Sequence, residues 1–270
     1  MQLQPSPILS TVVKHYLVIE CQADVYANYR IFSDGNPGMV FHFKRPLLQY
    51  NTGDITPKLQ PECFVYGQIT NYNNLCSAEE IGMLVVVLQP YALFSLFKMA
   101  AHEVLNATIN LVDLLGSEAR ELEEKVMEAL SMTDAIAIVE RFLIRRVTRW
   151  DDGDSNVFLA LNHIYTQKGM VNISNLLKVV PVTERQLERK FKEWIGISPK
   201  KMADVVRLQN FLKSLQKHPF YDNIALLSYS YGYYDQAHFN NYFKKHTGIT
   251  PLQYKANNRL LTLNLMAVNK

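Results

Sequence analysis

The spacing of hydrophobic positions differs between the two halves of the chain. Between residues 12 and 88, short apolar runs are separated by clusters of turn-forming residues, a pattern that predicts antiparallel β-strands. The predicted strands are Val12–Glu20, Tyr29–Phe32, Met39–Phe43, Phe64–Ile69 and Met83–Leu88. The predicted turns between them are Ser33-Asp34-Gly35, Asn36-Pro37-Gly38 and Thr52-Gly53-Asp54. Strands of this size and spacing commonly close into a small barrel.

A helical pattern begins after the break at Gln89-Pro90. The stretch from Ser117 to Leu130 carries apolar residues on one helical face and glutamates on the other. Asp134 is predicted to cap a further helix that ends at Arg149, so that the two helices form an antiparallel hairpin. The polar segment 151–155 follows and predicts a boundary between a first domain, residues 1–150, and a second, residues 155–258.

Helical periodicity continues through the second domain. Ser155 is predicted to cap a helix over Val157–Lys168, and a short helix follows from Ile173 toward Pro181. Pro199 suits the first position of a long helix that ends near Lys217. A helix of that length spans roughly 27 Å.

Two short helices of the second domain are copies of one another. One begins after Thr183 and the other, 52 residues later, after Asp235. Both have apolar residues at matching positions, and both end in Gly-Ile followed by Ser-Pro or Thr-Pro. The outward positions are Arg185, Glu188, Arg189 and Lys192 in the first copy, and Ala237, Asn240, Asn241 and Lys244 in the second. Repetition at a fixed offset indicates a repeated structural unit.

Charge divides the chain at the same boundary. Residues 1–154 carry 12 Lys and Arg against 19 Asp and Glu, a net charge of −7, whereas residues 155–258 carry 14 against 6, a net charge of +8. A basic domain attached to an acidic one is the distribution expected when only one domain binds a polyanion.

These motifs resemble the AraC/XylS family of transcription regulators. The resemblance covers roughly Val157 to Asn258. Its most specific residues are Gly232-Tyr233, Asp235-Gln236-Ala237-His238-Phe239, Phe243-Lys244, Gly248-Ile249-Thr250-Pro251 and Tyr254. The first unit departs from the family pattern at Leu177 and Pro181, where a small residue and a turn glycine are usual. The resemblance implies an all-α domain with two helix-turn-helix units joined by a long helix, behind a sensor domain that is often cupin-like.

The two outward faces suit the recognition of double-stranded DNA. Arg185 and Arg189 are predicted to contact guanine edges, since arginine prefers the O6 and N7 acceptors of guanine. Amide side chains prefer adenine, which assigns that base to Gln236, Asn240 and Asn241. Lys192, Lys244 and Lys245 are predicted to hold phosphates, and His238 belongs to the same motif. Glu188 either accepts from cytosine or orients Arg185 and Arg189 by ion pairing.

Enzymatic and metal-dependent functions have little support in the sequence. A metal oxygenase on a cupin fold needs two histidines and a carboxylate, but His15, His42 and His102 form no HxH or HxD/E pair. The sequence contains no GxSxG motif, no phosphate-binding loop and no dinucleotide-binding fingerprint. Cys21, Cys63 and Cys76 have no CxxC spacing and are interpreted as small buried residues, with a thiol sensor as the alternative. We therefore predict no enzyme activity, no cofactor and no metal.

The sequence thus predicts an α+β protein that regulates transcription by sequence-specific DNA binding. No apolar run reaches the ~18 residues of a membrane span, and the N-terminus lacks a signal-peptide pattern, which predicts a cytoplasmic protein without membrane association. The predicted partners are double-stranded DNA, a small-molecule effector bound by the first domain, a second copy of the chain, and RNA polymerase. In the family the helical hairpin often mediates dimer contacts, and packing within the domain is the alternative. The alternative function is a ligand- or protein-binding module in which Leu177 and Pro181 weaken DNA binding.

Overall fold

The structure is a computed structural model of the chain. It describes residues 1–21, 27–51, 56–77, 79–147, 154–217, 224–257 and 259–268. The predicted turn Thr52-Gly53-Asp54, most of the predicted domain boundary and Asn258 lie outside these ranges.

The described residues form strands mainly in the first part of the chain and helices after it. The strands are β1 (Gln2–Leu3), β2 (Val13–Cys21), β3 (Ala27–Phe32), β4 (Gly38–His42), β5 (Leu48–Asn51), β6 (Lys58–Leu59), β7 (Cys63–Tyr66), β8 (Tyr72–Ser77), β9 (Ile81–Leu88), β10 (Thr108–Asn110), β11 (Leu260–Thr262) and β12 (Leu265–Val268). The helices are α1 (Ala92–Phe97), α2 (Leu111–Leu115), α3 (Ser117–Met127), α4 (Met132–Val147), α5 (Ser155–Thr166), α6 (Ile173–Val179), α7 (Glu184–Trp194), α8 (Pro199–Lys217), α9 (Ile224–Ser230), α10 (Gln236–Thr247) and α11 (Pro251–Ala256). Single 3-10 turns cover Pro7–Leu9 and Ala101–Val104.

The strands form two antiparallel sheets. The first has the order β1-β2-β9-β4-β7-β10 and the second the order β11-β12-β3-β8-β5-β6. A hydrophobic cluster lies between them, with Phe64 and Met83 from the first sheet and Tyr29 and Leu75 from the second. Within the described ranges no strand pairing joins the two sheets. A closed cupin-like barrel is therefore not confirmed.

The five predicted strands are present, with ends that shift by at most three residues. Strand β8 was not predicted because it is too polar: Asn73, Asn74 and Ser77 interrupt the apolar pattern. Burial alternates along β8 all the same, since one face of the strand points toward the other sheet. Strand β8 pairs with β3 on one side and β5 on the other, and both are distant in the sequence or separated from it by a loop, so its own residues do not reveal the pairing.

Helices cover the outer face of the first sheet. Leu93 of α1, Leu122 of α3 and Phe142 of α4 share a core with Phe41 and Leu84 of the sheet. With both faces covered, all residues of β9 are buried, which explains its continuous apolar run. Helices α3 and α4 pack on each other as the predicted hairpin. The two sheets and helices α1 to α4 are called the β domain below.

Two predicted helix caps were wrong by a few residues. Asp134 lies in the first turn of α4, and its backbone N–H donates to Ser131 Oγ at 3.1 Å. Ser155 is the first residue of α5, whose N-cap is Asp154, because Asp154 Oδ1 accepts from the backbone N–H of Asn156 at 3.0 Å. Near both helix starts more than one residue of a capping type is present, and the packing of the helix decides which of them lies at the N-cap.

The second half contains the two predicted helical units. The first unit, α5 to α7, and the second unit, α9 to α11, are joined by α8 over the predicted span Pro199–Lys217. The first unit has its own core, which includes Leu161, Leu187 and Phe191. The core of the second unit also includes two residues outside the predicted domain, Phe32 of β3 and Met266 of β12.

The last strands return to the β domain, which the sequence pattern did not predict. Strand β12 pairs with β3 in a register that runs from Leu265 opposite Ile31 to Val268 opposite Asn28. The backbone N–H of Phe32 donates to Asn264 O at 3.1 Å and extends this pairing. The division into a domain of residues 1–150 and a domain of residues 155–258 stays a prediction. The final strands, which follow the second of these domains in the chain, pack on the first.

Gly169 lies where α5 meets the long helix, and substitution there tests that packing. The residue has a φ of +78°, and a Cβ there would lie 2.2 Å from Ala203 O and 2.4 Å from the backbone N of Arg207. Gly232, with a φ of +72°, serves as the control, because a Cβ on it would meet open space out to 4 Å. Both alanine variants lose about 1–2 kcal/mol of stability from the left-handed backbone. We expect Gly169→Ala to lose a further ~1–3 kcal/mol from overpacking.

Urea denaturation followed by circular dichroism measures this difference. The free energy of unfolding should fall more for Gly169→Ala than for Gly232→Ala. Its dependence on urea concentration should be the same in both variants. Equal losses in the two variants would contradict the close approach of Gly169 to α8.

Candidate nucleic-acid interface

Helix α7 is fixed in place by its cap and its apolar face. Thr183 is the N-cap, and its Oγ1 accepts from the backbone N–H of Gln186 at 3.3 Å, while the backbone N–H of Thr183 donates to Gln186 Oε1 at 3.0 Å. This reciprocal capping box defines the first turn. Leu187 and Phe191 are fully buried beneath the helix. The opposite face of the helix must therefore point to solvent.

The predicted contact residues of α7 lie together on this outer face. Arg185, Arg189 and Lys192 are exposed, and Glu188 is half-buried. Together they line a shallow concave surface with Lys201 of α8. Glu188 forms no ion pair with Arg185 or Arg189 in the part of the chain that the structure describes. The arrangement presents three cations of α7 on one surface.

Sequence reasoning missed Lys201, although the sequence contains a signal for it. Pro199 begins α8, so Lys200 and Lys201 lie in its first turn. Cations are disfavoured near the positive N-terminal end of a helix unless an anion neutralises them. Two lysines in the first turn of a helix next to α7 are therefore the signal in the sequence.

Lys190 has a different role from its basic neighbours on α7. It forms an ion pair with Asp154, the N-cap residue of α5, and the Asp154 side chain is mostly buried. This pair ties the middle of α7 to the start of the unit. Lys190 is thereby turned away from the outer face that Arg185 and Arg189 share.

Helix α10 repeats the arrangement with different outward side chains. Asp235 Oδ1 accepts from the backbone N–H of Ala237 at 2.8 Å, and Phe239 and Phe243 are fully buried. The exposed predicted contacts are Gln236, His238, Asn241, Lys244 and Lys245, and Asn240 is half-buried. The outer face of α10 is therefore mostly amide near its start and cationic near its end.

Tyr234 is a further exposed residue beside this face. Its side chain is 91% exposed, while the neighbouring Tyr233 is buried with 5% exposure. The guanidinium of Arg207 lies 4.5 Å from the ring centre of Tyr233, and burial raises the pKa of Tyr233 to about 12. A Tyr-Tyr pair gives no indication in the sequence of which ring faces solvent, because that depends on where α8 packs.

The first unit accommodates the two residues that depart from the family pattern. Helix α6 ends at Val179, so Pro181 lies in the turn, where a proline without an N–H breaks no helical hydrogen bond. The turn is closed by a bond from the backbone N–H of Val182 to Val180 O at 2.8 Å. Leu177 packs against the core of the unit. Helix α6, the turn and α7 all form with these two residues in place.

A separate cavity of about 450 Å³ lies between the two sheets and α8. Its walls are mainly apolar, with Leu17, Val40 and Met83 from the first sheet and Leu265 from β12. Helix α8 contributes Val206, Gln209, Asn210 and Lys213. Gln209 Nε2 donates to Ser33 O at 2.7 Å, which holds α8 against the β domain at this point.

One end of the cavity is charged. Lys14 and His15 of β2 lie there with Asp34 and Lys213. Burial lowers the pKa of Lys14, the Asp34 carboxylate raises it, and the ammonium of Lys213 lowers it. Burial also lowers the pKa of His15. At this end two lysines outnumber the single carboxylate of Asp34, which together with the apolar walls suits an anionic apolar molecule.

Two other kinds of site are absent from the described ranges. No three His, Cys, Asp or Glu side chains come together there in a way that could hold a metal ion. No helix among the described residues is long and apolar enough to cross a membrane.

Comparisons with protein families match both parts of the chain. Residues 1–110 match a family described as a domain of unknown function (DUF6597), and residues 176–257 match a family described as a helix-turn-helix domain. Over 174 residues the chain is 26% identical to the HTH-type transcriptional regulator MtrA of Neisseria gonorrhoeae. This alignment covers 60% of the chain and 55% of the relative, so it spans about half the length of that protein.

Two solved structures of ToxT from Vibrio cholerae share the fold over most of the chain. One is ToxT of strain O395 bound to (E)-4-(8-methylnaphthalen-1-yl)but-3-enoic acid, with a TM-score of 0.52, 11% identity, and coverage of 89% of this chain and 98% of ToxT. The other is an apo form of a ToxT variant from strain SCE256, with a TM-score of 0.52, 10% identity, and coverage of 89% and 97%. Identities this low show the fold alone.

The motif resemblance, the helix-turn-helix match, the regulator relative and the shared fold agree with one another. The paired helical units have the caps, buried faces and terminal Gly-Ile turns that the family motif requires. Residues 176–257 thus contain a helix-turn-helix domain, and these findings confirm the resemblance of the chain to AraC/XylS transcription regulators.

Proposed function

We propose that this protein regulates transcription by binding a specific double-stranded DNA sequence through α7 and α10. The observation that carries the proposal is the repeated unit, in which each recognition helix buries an apolar face and exposes a face of cations and amides. Homodimerisation and contact with RNA polymerase stay predictions from the family resemblance.

The long helix suits this function by its length. Helix α8 covers residues 199–217 and rises about 1.5 Å per residue, so it spans roughly 27 Å. Successive major grooves on one side of a duplex lie about 34 Å apart. A rod of this length allows α7 and α10 to enter two neighbouring grooves.

The two recognition helices have different roles in the proposal. Arg185 and Arg189 of α7 contact guanine edges or phosphates, and Lys192 and Lys201 contact phosphates. Without an ion pair to either arginine, Glu188 is available to accept from the exocyclic amine of cytosine. The strong positive charge of this surface supplies most of the electrostatic attraction.

Helix α10 supplies more of the base discrimination. Gln236, Asn240 and Asn241 contact adenine edges, since an amide can donate to N7 and accept from the N6 amine. Lys244 and Lys245 hold phosphates near the end of the helix, and His238 contacts the backbone or a base beside them.

The cavity gives the proposal a regulatory site. An apolar carboxylic acid fits its apolar walls and the ammonium groups of Lys14 and Lys213. The ToxT structure with a naphthyl-substituted butenoic acid shows that a protein of this fold binds such a molecule. Because Lys14 belongs to the β domain and Lys213 to α8, a carboxylate between them would join the two parts of the chain.

The first prediction concerns charge on α7. Arg189→Ala should weaken binding to every DNA sequence and reduce the salt dependence by about one unit if Arg189 contacts a phosphate. If it contacts a guanine, the loss should be confined to sites with that base and amount to about 1–3 kcal/mol. Fluorescence anisotropy on single-base variants of the bound site, at two salt concentrations, distinguishes these cases. The matched control is Arg120→Ala, an exposed arginine of α3 far from both units along the chain.

The second prediction concerns amides on α10. Asn241→Ala should relax discrimination at one A·T pair while the salt dependence stays unchanged, because the side chain is neutral. The same DNA panel measures both quantities. If Asn240→Ala and Asn241→Ala both bind every variant with wild-type preference, α10 does not select bases as proposed.

The third prediction concerns the cavity. Decanoic acid and the naphthyl-substituted butenoic acid should raise the melting temperature, since a ligand that binds only the native state stabilises it. Decanol, which lacks the carboxylate, should raise it less. Lys14→Met and Lys213→Met should each weaken binding of the acids about tenfold or more, as expected for a lost charge-assisted hydrogen bond.

Calorimetric titration of these variants gives the affinities, and Lys217→Met, at the exposed end of α8, is the control. Equal stabilisation by the acid and the alcohol would contradict the carboxylate contact. No stabilisation by any compound of the series would contradict the proposal that the cavity binds an apolar carboxylic acid.

A further inference from the structure

Both recognition helices end directly on the β domain. Gly196 and Gly248 follow α7 and α10 and have φ angles of +90° and +75°. These glycines are equivalent in the repeat, and each is also a point of close approach. A Cβ on Gly196 would lie 2.8 Å from Ala101 O, and one on Gly248 would lie 2.6 Å from a terminal nitrogen of Arg30. The two family glycines therefore have a packing role here in addition to their left-handed backbone.

The end of α7 packs against α1 and the 3-10 turn that follows it. The ring centres of Trp194 and Phe94 lie 4.4 Å apart. Trp194 is the last residue of α7, so this contact and that of Gly196 with Ala101 fix the same end of the helix. The other end, with its capping box, is exposed and carries Arg185.

An arginine of β3 contacts the end of α10. Arg30 Nη1 donates to Gly248 O at 2.9 Å, and its Nε donates to Asn74 Oδ1 at 2.9 Å. Its guanidinium lies 4.5 Å from the ring centre of Tyr72. The carbonyls at the C-terminal end of a helix carry partial negative charge, which a guanidinium stabilises. Arg30 thereby joins two strands of the second sheet to the end of the recognition helix.

Two further contacts support the same end of α10. His246 Nδ1 lies 3.0 Å from Thr70 O, in the loop before β8. Met266 of β12 is fully buried in the core of the second unit, together with Phe243. Because Met266 pairs with Arg30 across the sheet, the arginine and the buried methionine lie side by side beneath α10.

We propose that the β domain sets the spacing between the two recognition helices, with Arg30 as the positioning residue for α10. The inference rests on the proposed DNA binding. If α8 were the only connection between the two units, their relative orientation would depend on that helix and on the segments that follow it. With both helix ends fixed on one domain, α7 and α10 are held at one separation, and DNA sites with a different separation must strain these contacts.

The test uses the full chain and a DNA site that it selects from random sequence. The separation between the two contacted segments is then lengthened or shortened by one and two base pairs. The wild-type protein should bind DNA with one separation of the two segments much more tightly than DNA with any other separation. Arg30→Ala should reduce this preference by at least about fivefold, a change typical of a lost coupling between two sites. Binding to DNA that contains only the segment contacted by α7 should stay at the wild-type level.

Two variants control for other effects. Arg30→Lys keeps the charge but loses the planar group that binds Gly248 and Asn74 together, so it should restore the preference only in part. Arg120→Ala removes a surface arginine and should keep the full preference.

Should Arg30→Ala not fold, Phe94→Leu loosens the contact at the end of α7, and it should also reduce the preference.

The outcomes separate this inference from the proposed function. A variant at Arg30 or Phe94 that folds, binds the best site and keeps the wild-type preference for separation overturns the positioning role. Equal weakening at every separation also overturns it, since that result reflects a general loss of stability. A wild-type protein that binds no DNA sequence overturns the proposed function and this inference with it.

Discussion

Strand β12 places neighbouring side chains in two different hydrophobic cores, and the relation between the parts of the protein depends on it. Side chains alternate across a strand, so Leu265 points into the core between the sheets while Met266 points into the core of the second unit. Phe32, at the end of the paired strand β3, joins Met266 there. The second unit and the second sheet consequently share buried surface, and separating them would expose apolar residues of both.

The first unit is built differently, because its core is closed mainly by its own residues. Tyr91 and Leu105 of the β domain only border that core, and Trp194 and Phe94 meet at its edge. The two units therefore attach to the β domain in different ways. Strand β12 forms one wall of the cavity and α8 another. A molecule in the cavity would contact the same strand that supports the second unit.

Charge is also distributed unequally between the two parts of the chain. The first part and the second part meet at the cavity, where Lys14 lies near both Asp34 and Lys213. On α7 the residues Arg185, Arg189 and Lys192 are exposed, and on α10 Lys244 and Lys245 are exposed. Exposed cations of this kind attract a polyanion, although their mutual repulsion lowers the stability of the folded chain.

Much of the second, helical part of the chain could be predicted from the sequence alone. Local signals determine it: Thr183 and Asp235 as caps, Leu187 and Phe239 on the buried faces, and the glycines that end each copy. These signals act within one or two helical turns, so they are visible in the order of residues. For the same reason the outward positions of both recognition helices followed from helical periodicity, and in the structure these residues are exposed except for Glu188 and Asn240, which are half-buried.

Tertiary structure alone decided how these units are joined to the rest. Strand β12 pairs with a strand more than two hundred residues earlier, and Arg30 reaches Gly248 across a similar distance in the chain. The polar strand β8 is a strand only because β3 and β5 supply its hydrogen-bond partners. The cavity likewise needs both sheets, α8 and the last strands. Periodicity and capping describe neighbours in sequence, whereas these features depend on which distant surfaces bury one another.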